Sequence, residues 1–309
     1  MSFRVAIMTD ETGWHTGRLK KAFRARDVEA RCVDLAACRI DTTWKPHGLA
    51  IPGFGHTLPD AVFVRGIAGG TFEQVTLRLG ILHALRESGV PVYNDARAIE
   101  RSVDKSMTSF LLNRYGVPTP ATWAGESPAH ARRVLMREAA AGRQVVMKPL
   151  FGSQGKGLMK PGVSLPPLEA FSQVAYLQRF VDAGEPGFDW RVLVIGGQAV
   201  AAMKRVGGDD WIHNFARGAR CEPAQPSPAL ADIAVRATAA LGLDYAGVDL
   251  IAAEGGGPVV LEVNGVAAWR GLQSVTPLDI AALLVDDLLD RKCIASKGAL
   301  ALASGDERV

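Results

Sequence analysis

No stretch of the chain approaches the ~20 consecutive apolar residues that a membrane span requires. The opening MSFRVAIMTDETG has neither the long apolar run nor the small-residue cleavage site of a secretory signal. Both absences lead to the expectation of a cytoplasmic protein that neither crosses nor enters a membrane. Cysteine is sparse: Cys32, Cys38, Cys221 and Cys293 are scattered, with no CxxC pair, which excludes a disulfide framework and a zinc spacing and predicts reduced, packed thiols. An excess of one charge is also missing. Against 35 Lys+Arg stand 32 Asp+Glu, and the net charge of +3 is too mild for a concentrated nucleic-acid face, though enough for an anionic ligand. No GxGxxG follows the first predicted strand and no GxxxxGK[ST] occurs, so neither a dinucleotide site nor a P-loop is expected. Clear internal repeats and low-complexity runs are absent too, which excludes repeat arrays.

What is present is an ordinary globular composition, 48% hydrophobic and 22% charged, in 309 residues, a length that suits two or three subdomains packed as one body. Residues 3–8 read as a strand, TDETGWHTG leads into an amphipathic helix through Leu19, Phe23 and Val28, and VDL near residue 33 returns as a strand. Residues 59–65 give another strand, residues 72–87 a helix with Phe72, Val75, Leu79, Leu82 and Leu85 on one face, and VPVYN a further strand. This alternation predicts a parallel sheet covered by helices. Such sheets bind ligands at their carboxyl edge, where Asp10, Trp14, His15 and Arg18 follow the first strand and Arg65 ends the third. These residues either hold a substrate, or serve as a cap, a solvated turn and packed arginine stems.

Asn94 or Asp95 can cap the next helix and Ser102 or Asp104 the one after, whose first turn carries Lys105. A lysine there opposes the helix dipole, so it sits better beside an anion than alone, or else points to water. SPAHARRVLMREAAAG reads as a helix and QVVMKPL as a strand closing on Lys148. In FGSQGKGLMKPG, Gly152, Gly155 and Gly157 permit exposed backbone amides while Ser153 and Lys156 add donors, a loop suited to drape over phosphates. Residues 175–181 form an apolar strand interrupted by Gln178 and Arg179, which either offers backbone groups to an adenine edge or is simply an edge strand. DWRVLVIGGQAVAAMKRV is a hairpin turning at Gly196-Gly197, with Asp189 and Arg191 on one face and Lys204 and Arg205 at its far end. The polar loop GDDWIHNFARGAR follows with Asn214 and Arg217, then helices over residues 229–241 and 277–290.

Between those helices lies the stretch that carries most chemistry. Residues 248–252 and 258–263 read as two strands joined by the glycine-rich residues 253–257, an antiparallel hairpin. Glu262 and Asn264 share a face, and a suitable register brings Asp249 to them. Two carboxylates and an amide oxygen suit Mg²⁺ carrying nucleotide phosphates better than zinc. Otherwise the acids merely end strands at a solvated rim.

In order and spacing, TDETGWHTGRL, PDAVFVRG, VPVYNDARAIERSVDK before LLNRYGVPTP, VMKPLFGSQGKG, LQRFV, DWRVLVIGGQAVAAMKR, NFARG, and GVDL with LEVN resemble the ATP-grasp superfamily, and within it the RimK-like amino-acid ligases, to about Asp290. The resemblance implies an α/β fold: a Rossmann-like parallel-sheet domain over residues 1–97, linker helices and a central lid subdomain over 98–180, a C-terminal mixed-sheet subdomain over 181–295, and a flexible tail over 296–309. It implies ATP and two Mg²⁺ ions, with Mn²⁺ as an alternative. Lys105, Lys148 and the loop Gly152, Ser153, Gln154, Gly155, Lys156 and Gly157 would hold phosphates. Gln178, Arg179, Phe180 and Val181 would line adenine and ribose, Asp189 would meet the nucleoside, Asn214 and Arg217 would sit near the phosphates, and Asp249, Glu262 and Asn264 would bind the metals.

The implied chemistry is phosphorylation of a carboxylate by ATP, then attack of an amine on the acyl phosphate to give an amide and ADP. Arg205 or Arg217 could stabilise the tetrahedral oxyanion, and a closed glycine loop would keep water out. The implied partners are an acidic amino acid, above all glutamate, and an acceptor carboxylate of a pterin, furan or deazaflavin type, in a homo-oligomer, dimer or tetramer. Addition to a protein terminus or amino-group carrier, or a non-catalytic nucleotide-binding scaffold, are the alternatives. The chain departs from its relatives where EVN continues as GVAAWRGLQ and where Ile212 replaces a frequent arginine. There Arg270, with Arg18 or Arg65 opposite, suggests a clamp for an acidic substrate, and Trp14 belongs to the same group. Trp269 is either an aromatic wall or a core residue.

Overall fold

The computed structural model describes residues 2–152, 156–184, 187–207, 219–253, 255 and 257–294. The chain opens with β1 (Arg4–Met8), α1 (Trp14–Arg24), β2 (Glu29–Val33), a short hairpin of β3 (Arg39–Ile40) and β4 (Leu49–Ala50), β5 (Ala61–Val64), α2 (Phe72–Glu87) and β6 (Val92–Tyr93). Strands order as β2-β1-β5-β6, all parallel, and the continuous apolar runs of β1 and β5 are buried on both faces, as a doubly covered sheet requires. Alternation sends Val5, Ile7 and Phe63 toward α1, and Ala6, Met8, Val62 and Val64 toward α2.

Helix α2 departs from expectation. Ile81, Leu82 and Leu85 meet the sheet, but Phe72 at its start is 82% exposed. The reason is length: 16 residues of helix reach ~24 Å, and β5 and β6, of 4 and 2 residues, are too short to lie under all of it.

Helices α3 (Ala96–Val103) and α4 (Lys105–Arg114) follow, capped by Asp95 and Asp104 respectively. A second sheet consists of β7 (Thr122–Gly125), β8 (Val145–Lys148) and β9 (Ala175–Arg179) in the order β7-β9-β8, with α5 (Pro128–Ala140) packing Ala131, Val134 and Leu135 against it. Strand β9 is therefore central and not an edge.

The third sheet holds β10 (Phe188–Ile195), β11 (Gln198–Val206), β12 (Arg220–Ala224), β13 (Tyr245–Ala252) and β14 (Pro258–Asn264) in the order β12-β11-β10-β13-β14, with α6 (Pro228–Leu241) between β12 and β13 in sequence. Expected to be mixed, it is antiparallel at every described pairing: β10–β11, β11–β12 and β13–β14 are neighbours in sequence, and β13 returns after α6 to lie antiparallel beside β10. After it come α7 (Arg270–Gln273), α8 (Ile280–Asp286) and a π-helical turn over Asp287–Lys292.

One face of this sheet, with Val192, Val194, Val248 and Val263, packs on α6 and α4. The other face changes character along its strands. At one end Leu193, Ala201, Met203 and Tyr245 pack on the first sheet, where Tyr245 stacks on Phe63 and Tyr93 at 5.6 and 5.1 Å. At the other end the same face carries Asp189, Arg191, Arg205, Asp249 and Glu262.

Asn94 locks the two sheets together. Its Nδ2 donates to the carbonyls of Tyr245 and Gly265 at 2.8 and 2.7 Å, and its Oδ1 accepts from the N–H groups of Asp244 and Tyr245. Asp95, not Asn94, is thus the cap.

Candidate active site

Two bulges set the charged end of the third sheet. In the β13–β14 pair, Leu250 faces Val260, but the register shifts between Asp249 and Leu250, so Asp249 faces Glu262. Without that extra residue Asp249 would face Leu261. In β10–β11 a shift at Leu193/Val194 sets Asp189 opposite Arg205. The expected convergence of Asp249, Glu262 and Asn264 on one face is present, with Gly247 opposite Asn264.

The environment of each ligand candidate differs. Asn264 donates Nδ2 to the Gly247 carbonyl at 3.3 Å, and its Oδ1 has no hydrogen-bond partner among the described residues. Glu262 has no ion-pair partner within salt-bridge distance among the described residues. Asp249 is held by Arg191 through two bonds of 2.7 Å and by Arg205 Nη2 at 3.1 Å. Burial opposes the Asp249 charge, but Arg191 and Arg205 outweigh it and hold the carboxyl below its ordinary range. Arg205 also binds Asp189 at 2.6 and 2.9 Å. Its Nη1 has no partner among the described residues. Burial pushes Asp189 up to about 6 against the pull of Arg205, leaving it ionised at neutral pH.

Among the described residues no three His, Cys, Asp or Glu side chains are grouped to hold a metal. The set here is two carboxylates and an amide oxygen. The Oδ1 of Asn264 and the carboxylate of Glu262 fit a hard divalent cation, with Asp249 sharing its remaining lone pairs.

Facing Glu262 are the two lysines. Lys105, first residue of α4, donates to the carbonyl of Gly152 at 2.8 Å rather than pointing to water. Burial lowers its pKa while Glu262 and Asp104 raise it. Lys148 donates to Gln178 Oε1 at 2.7 Å, and burial, against Glu262, brings its pKa down to about 8. Gln178 thus contributes its side chain, which the strand pattern alone did not indicate. Gly152 and Gly157 both have positive φ, 145° and 73°, and a Cβ on Gly157 would lie 2.8 Å from Pro149 Cγ. Lys156 is exposed. Ser153, Gln154 and Gly155, like Asn214 and Arg217, lie outside the described residues.

Farther along β9, Arg179 N–H donates to the Ala121 carbonyl and Phe180 N–H to that of Gln144, so those two amides are committed to the protein itself. The Arg179 side chain is taken by buried Glu138 at 2.9 Å, and Lys160 lies 3.5 Å over the Phe180 ring. Val181 N–H has no partner among the described residues.

The substrate candidates of the first sheet meet around a cavity of about 310 Å³ lined by residues 9–16, Arg65, Gly66 and Arg270. Trp14, Arg65 and Arg270 are brought together there; Arg18 is not, because its guanidinium meets Asp279 at 3.1 Å. Trp269 is a core residue, 1% exposed, yet Arg65 lies 5.3 Å over its ring and His15 packs edge-on at 4.6 Å. Burial, Arg65 and Arg270 push His15 down to about 4, so the imidazole is neutral at pH 7. Asp10, one of the residues expected to hold a substrate or to cap a turn, lines the same cavity, whereas Arg191 is marked in the sequence only by its strand face. Alternation from Asp189 was the available signal for Arg191; none marks Glu138 as the partner of Arg179.

The depressed Lys148 pKa has a consequence for anion binding. A phosphate beside it favours the ammonium and raises its pKa, so above pH 8 binding must take up a proton. Affinity for ADP, measured by calorimetry without metal, is expected to rise between about pH 6 and 7 as its terminal phosphate ionises and to fall toward about tenfold per unit as pH rises beyond Lys148's value. Lys148→Met is expected to flatten that fall; an unchanged slope places the titration elsewhere.

The model of the RimK-like ATP-grasp domain matches residues 102–288 and that of the RimK PreATP-grasp domain residues 3–99. A tetrahydromethanopterin:alpha-L-glutamate ligase of Methanococcus maripaludis is 30% identical over 93% of this chain and 98% of its own. A probable alpha-L-glutamate ligase of Teredinibacter turnerae is 33% identical over 92% and 94%. Among solved structures, the ATP-grasp ligase PsnB with a minimal precursor, Mg and ADP superposes with a TM-score of 0.70 at 24% identity, over 95% of this chain and 96% of PsnB, a likeness of fold. No helix among the described residues is long and apolar enough to cross a membrane. With both domain models matched in order along the chain and its relatives covered end to end, this chain belongs to the RimK-like ATP-grasp family of ligases.

Proposed function

We propose that the protein is an ATP-dependent carboxylate–amine ligase that adds glutamate, or another acidic amino acid, to a small carboxylate acceptor of a pterin, furan or deazaflavin type. The observation that carries this reading is the charged end of the third sheet, where Asp249 faces Glu262 beside an Asn264 oxygen without a partner among the described residues and half-buried Lys105 and Lys148 lie within the field of Glu262. The names of the relatives support glutamate as the amino acid.

In this reading Asp249, Glu262 and Asn264 hold Mg²⁺, which when bound neutralises charge on the phosphates. Lys105, Lys148 and residues 152–157 hold the phosphates themselves. Adenine and ribose lie along Gln178–Val181, where the Val181 amide, without a partner among the described residues, is the available donor and Phe180 under Lys160 supplies a ring. Arg205, fixed by Asp189 and Asp249, presents Nη1 to the developing oxyanion together with Arg217. Trp14, Arg65 and Arg270 form the substrate end.

The test is ADP formation by the purified protein with Mg·ATP, a panel of acidic amino acids and candidate acceptors. ADP is expected only when amino acid and acceptor are both present; none with any combination of acidic amino acids and acceptors overturns the reading. Mass spectrometry of small molecules that accumulate in a deletion strain identifies the acceptor. Arg270→Lys keeps the charge and loses the planar fork, which typically contributes ~1.5–3 kcal/mol to a carboxylate, so the amino-acid KM is expected to rise about ten- to a hundredfold. The Kd of ATP is expected to hold. If ATP binding weakens while the amino-acid KM is constant, Arg270 belongs to the nucleotide.

A further inference from the structure

Asp249 stands in the middle of a row that crosses three strands, with Arg191 of β10 opposite it on one side and Glu262 of β14 on the other. Two guanidiniums hold its carboxylate, and they differ in how firmly they are placed. Arg205 is 3% exposed and is bound to Asp189 at 2.6 and 2.9 Å, so it cannot leave without stranding a second buried acid. Arg191 is 17% exposed, and among the described residues Asp249 is the one carboxylate that holds it. Arg191 can therefore move toward solvent by giving up a single pair of bonds.

That pair of bonds bears directly on the metal-ligand candidates. Arg191 Nε donates to Asp249 Oδ1 and Nη2 to Oδ2, each at 2.7 Å, while Arg205 Nη2 reaches Oδ2 at 3.1 Å. A carboxylate offers about four acceptor positions, and three are taken. The stem of Arg191 lies against Gly247, the residue opposite Asn264, where a Cβ would be 3.7 Å from Arg191 Cδ and Nε. Arg191 thus passes the Asn264 position on its way to Asp249. A divalent cation held by these residues meets Arg191 as a like charge, and Lys105 and Lys148 add to the positive field at Glu262. Nucleotide phosphates reverse that balance.

We propose that Arg191 is an exchangeable counter-cation of Asp249, which holds the carboxylate in place of a divalent metal and gives up Oδ1 when metal and phosphates arrive together. The proposal rests on the reading of Asp249, Glu262 and Asn264 as metal ligands and adds the residue that governs when they serve. Oδ1 is the oxygen released because Arg191 alone engages it, whereas Arg205 stays on Oδ2 and keeps the carboxylate oriented. The exchange never leaves a buried carboxylate bare, since one cation replaces another. Without phosphates Arg191 has no better partner than Asp249; with them the released guanidinium has an anion to meet. Metal and nucleotide are then coupled through one side chain.

The experiment is Mn²⁺ binding to the full chain without nucleotide, read from the EPR signal of free Mn²⁺, alongside thermal melting with and without Mn²⁺. Arg191→Gln is expected to bind Mn²⁺ at least about tenfold more tightly than the wild type, because a positive charge beside the ion is gone. It is expected to melt below the wild type without Mn²⁺ and to regain the difference with it. Arg191→Lys keeps the charge and loses the fork, so its Mn²⁺ affinity is expected to lie between the two. If the glutamine variant does not fold, a lysine variant with no gain overturns the proposal. In Arg191→Gln/Asp249→Asn the gain is expected to disappear. The rival arrangement, in which Arg191 stays on Asp249 and orients it for the metal, has the opposite sign, since loss of such a support weakens metal binding about 10–100-fold. Unchanged or weaker Mn²⁺ binding by Arg191→Gln therefore overturns the proposal, and the metal reading stands as long as Mn²⁺ is retained beside ADP. A gain that survives Asp249→Asn, or no Mn²⁺ retained by any of these proteins with ADP or without, removes the proposal and the metal reading together.

Discussion

Glu262→Gln is expected to abolish most turnover while leaving the protein about as stable as before. Asp249 and Glu262 are directly opposed across β13 and β14, and like charges so placed repel. Lys105 and Lys148, which Glu262 draws toward their charged forms, offset part of that repulsion, but neither lies within salt-bridge distance of it. Removing one charge therefore trades relief of the repulsion against loss of the attraction to the lysines, with little net change in stability. It also removes the one carboxylate of the site that no guanidinium already engages. Changes in groups that merely support a metal ligand cost 10–100-fold, so losing the charge of a ligand itself should cost on the order of a hundredfold or more in kcat. Thermal melting and kcat at saturating Mg²⁺ are the two readouts. Full activity in excess Mg²⁺ with an unchanged melting point means that Glu262 is no ligand; a large fall in Tm means that the carboxylate serves the fold.

Asn94→Leu should have the opposite profile, a large loss of stability from a side chain that touches no substrate. Leucine keeps the branched shape, though with bulkier methyl groups, and abandons the carbonyls of Tyr245 and Gly265 and the N–H groups of Asp244 and Tyr245 in a site with no exposure. A buried polar group left unpaired costs about 1–3 kcal/mol, and with this many the sum should be on the order of 4 kcal/mol or more. At this chain length that lowers Tm by roughly 10 °C. Asn94→Asp should do no better: it keeps the acceptor for the two N–H groups but turns an anionic oxygen toward the two carbonyls. A loss below about 1 kcal/mol in Asn94→Leu would show that the joint between the sheets is held elsewhere.

The two positions also differ in how visible they are in the sequence. Glu262 and Asn264 stand out because two acids and an amide interrupt apolar strands at spacing two, a local pattern within one hairpin. Asn94 reads, with Asp95 as the alternative, as a candidate helix cap, since either residue before Ala96 has that local use, and its actual partners lie about 150 residues away. Phe72 misled in the other direction: helical periodicity gave it a core-facing position, but periodicity carries no information on how long the supporting strands are. Arg18 followed the carboxyl-edge rule in sequence and then met Asp279 on another element.

By itself the sequence determined the strand and helix alternation of the first sheet, the hairpin pairing of β13 with β14, and the residue types of the site, because these follow from periods of two and 3.6 residues and from short-range turn chemistry. Tertiary structure decided which of those residues meet. A bulge at Asp249/Leu250 turns a strand pair that would set Asp249 against Leu261 into one that sets it against Glu262, and another at Leu193/Val194 gives Asp189 Arg205 instead of Lys204. Register in a strand pair is worth one residue and flips every side chain to the other face, yet nothing in the local pattern marks where the extra residue will be absorbed. That choice is made by the packing of the whole sheet, with its apolar end seated on the first sheet and its opposite face on α6, and the charged end takes the register that this seating leaves.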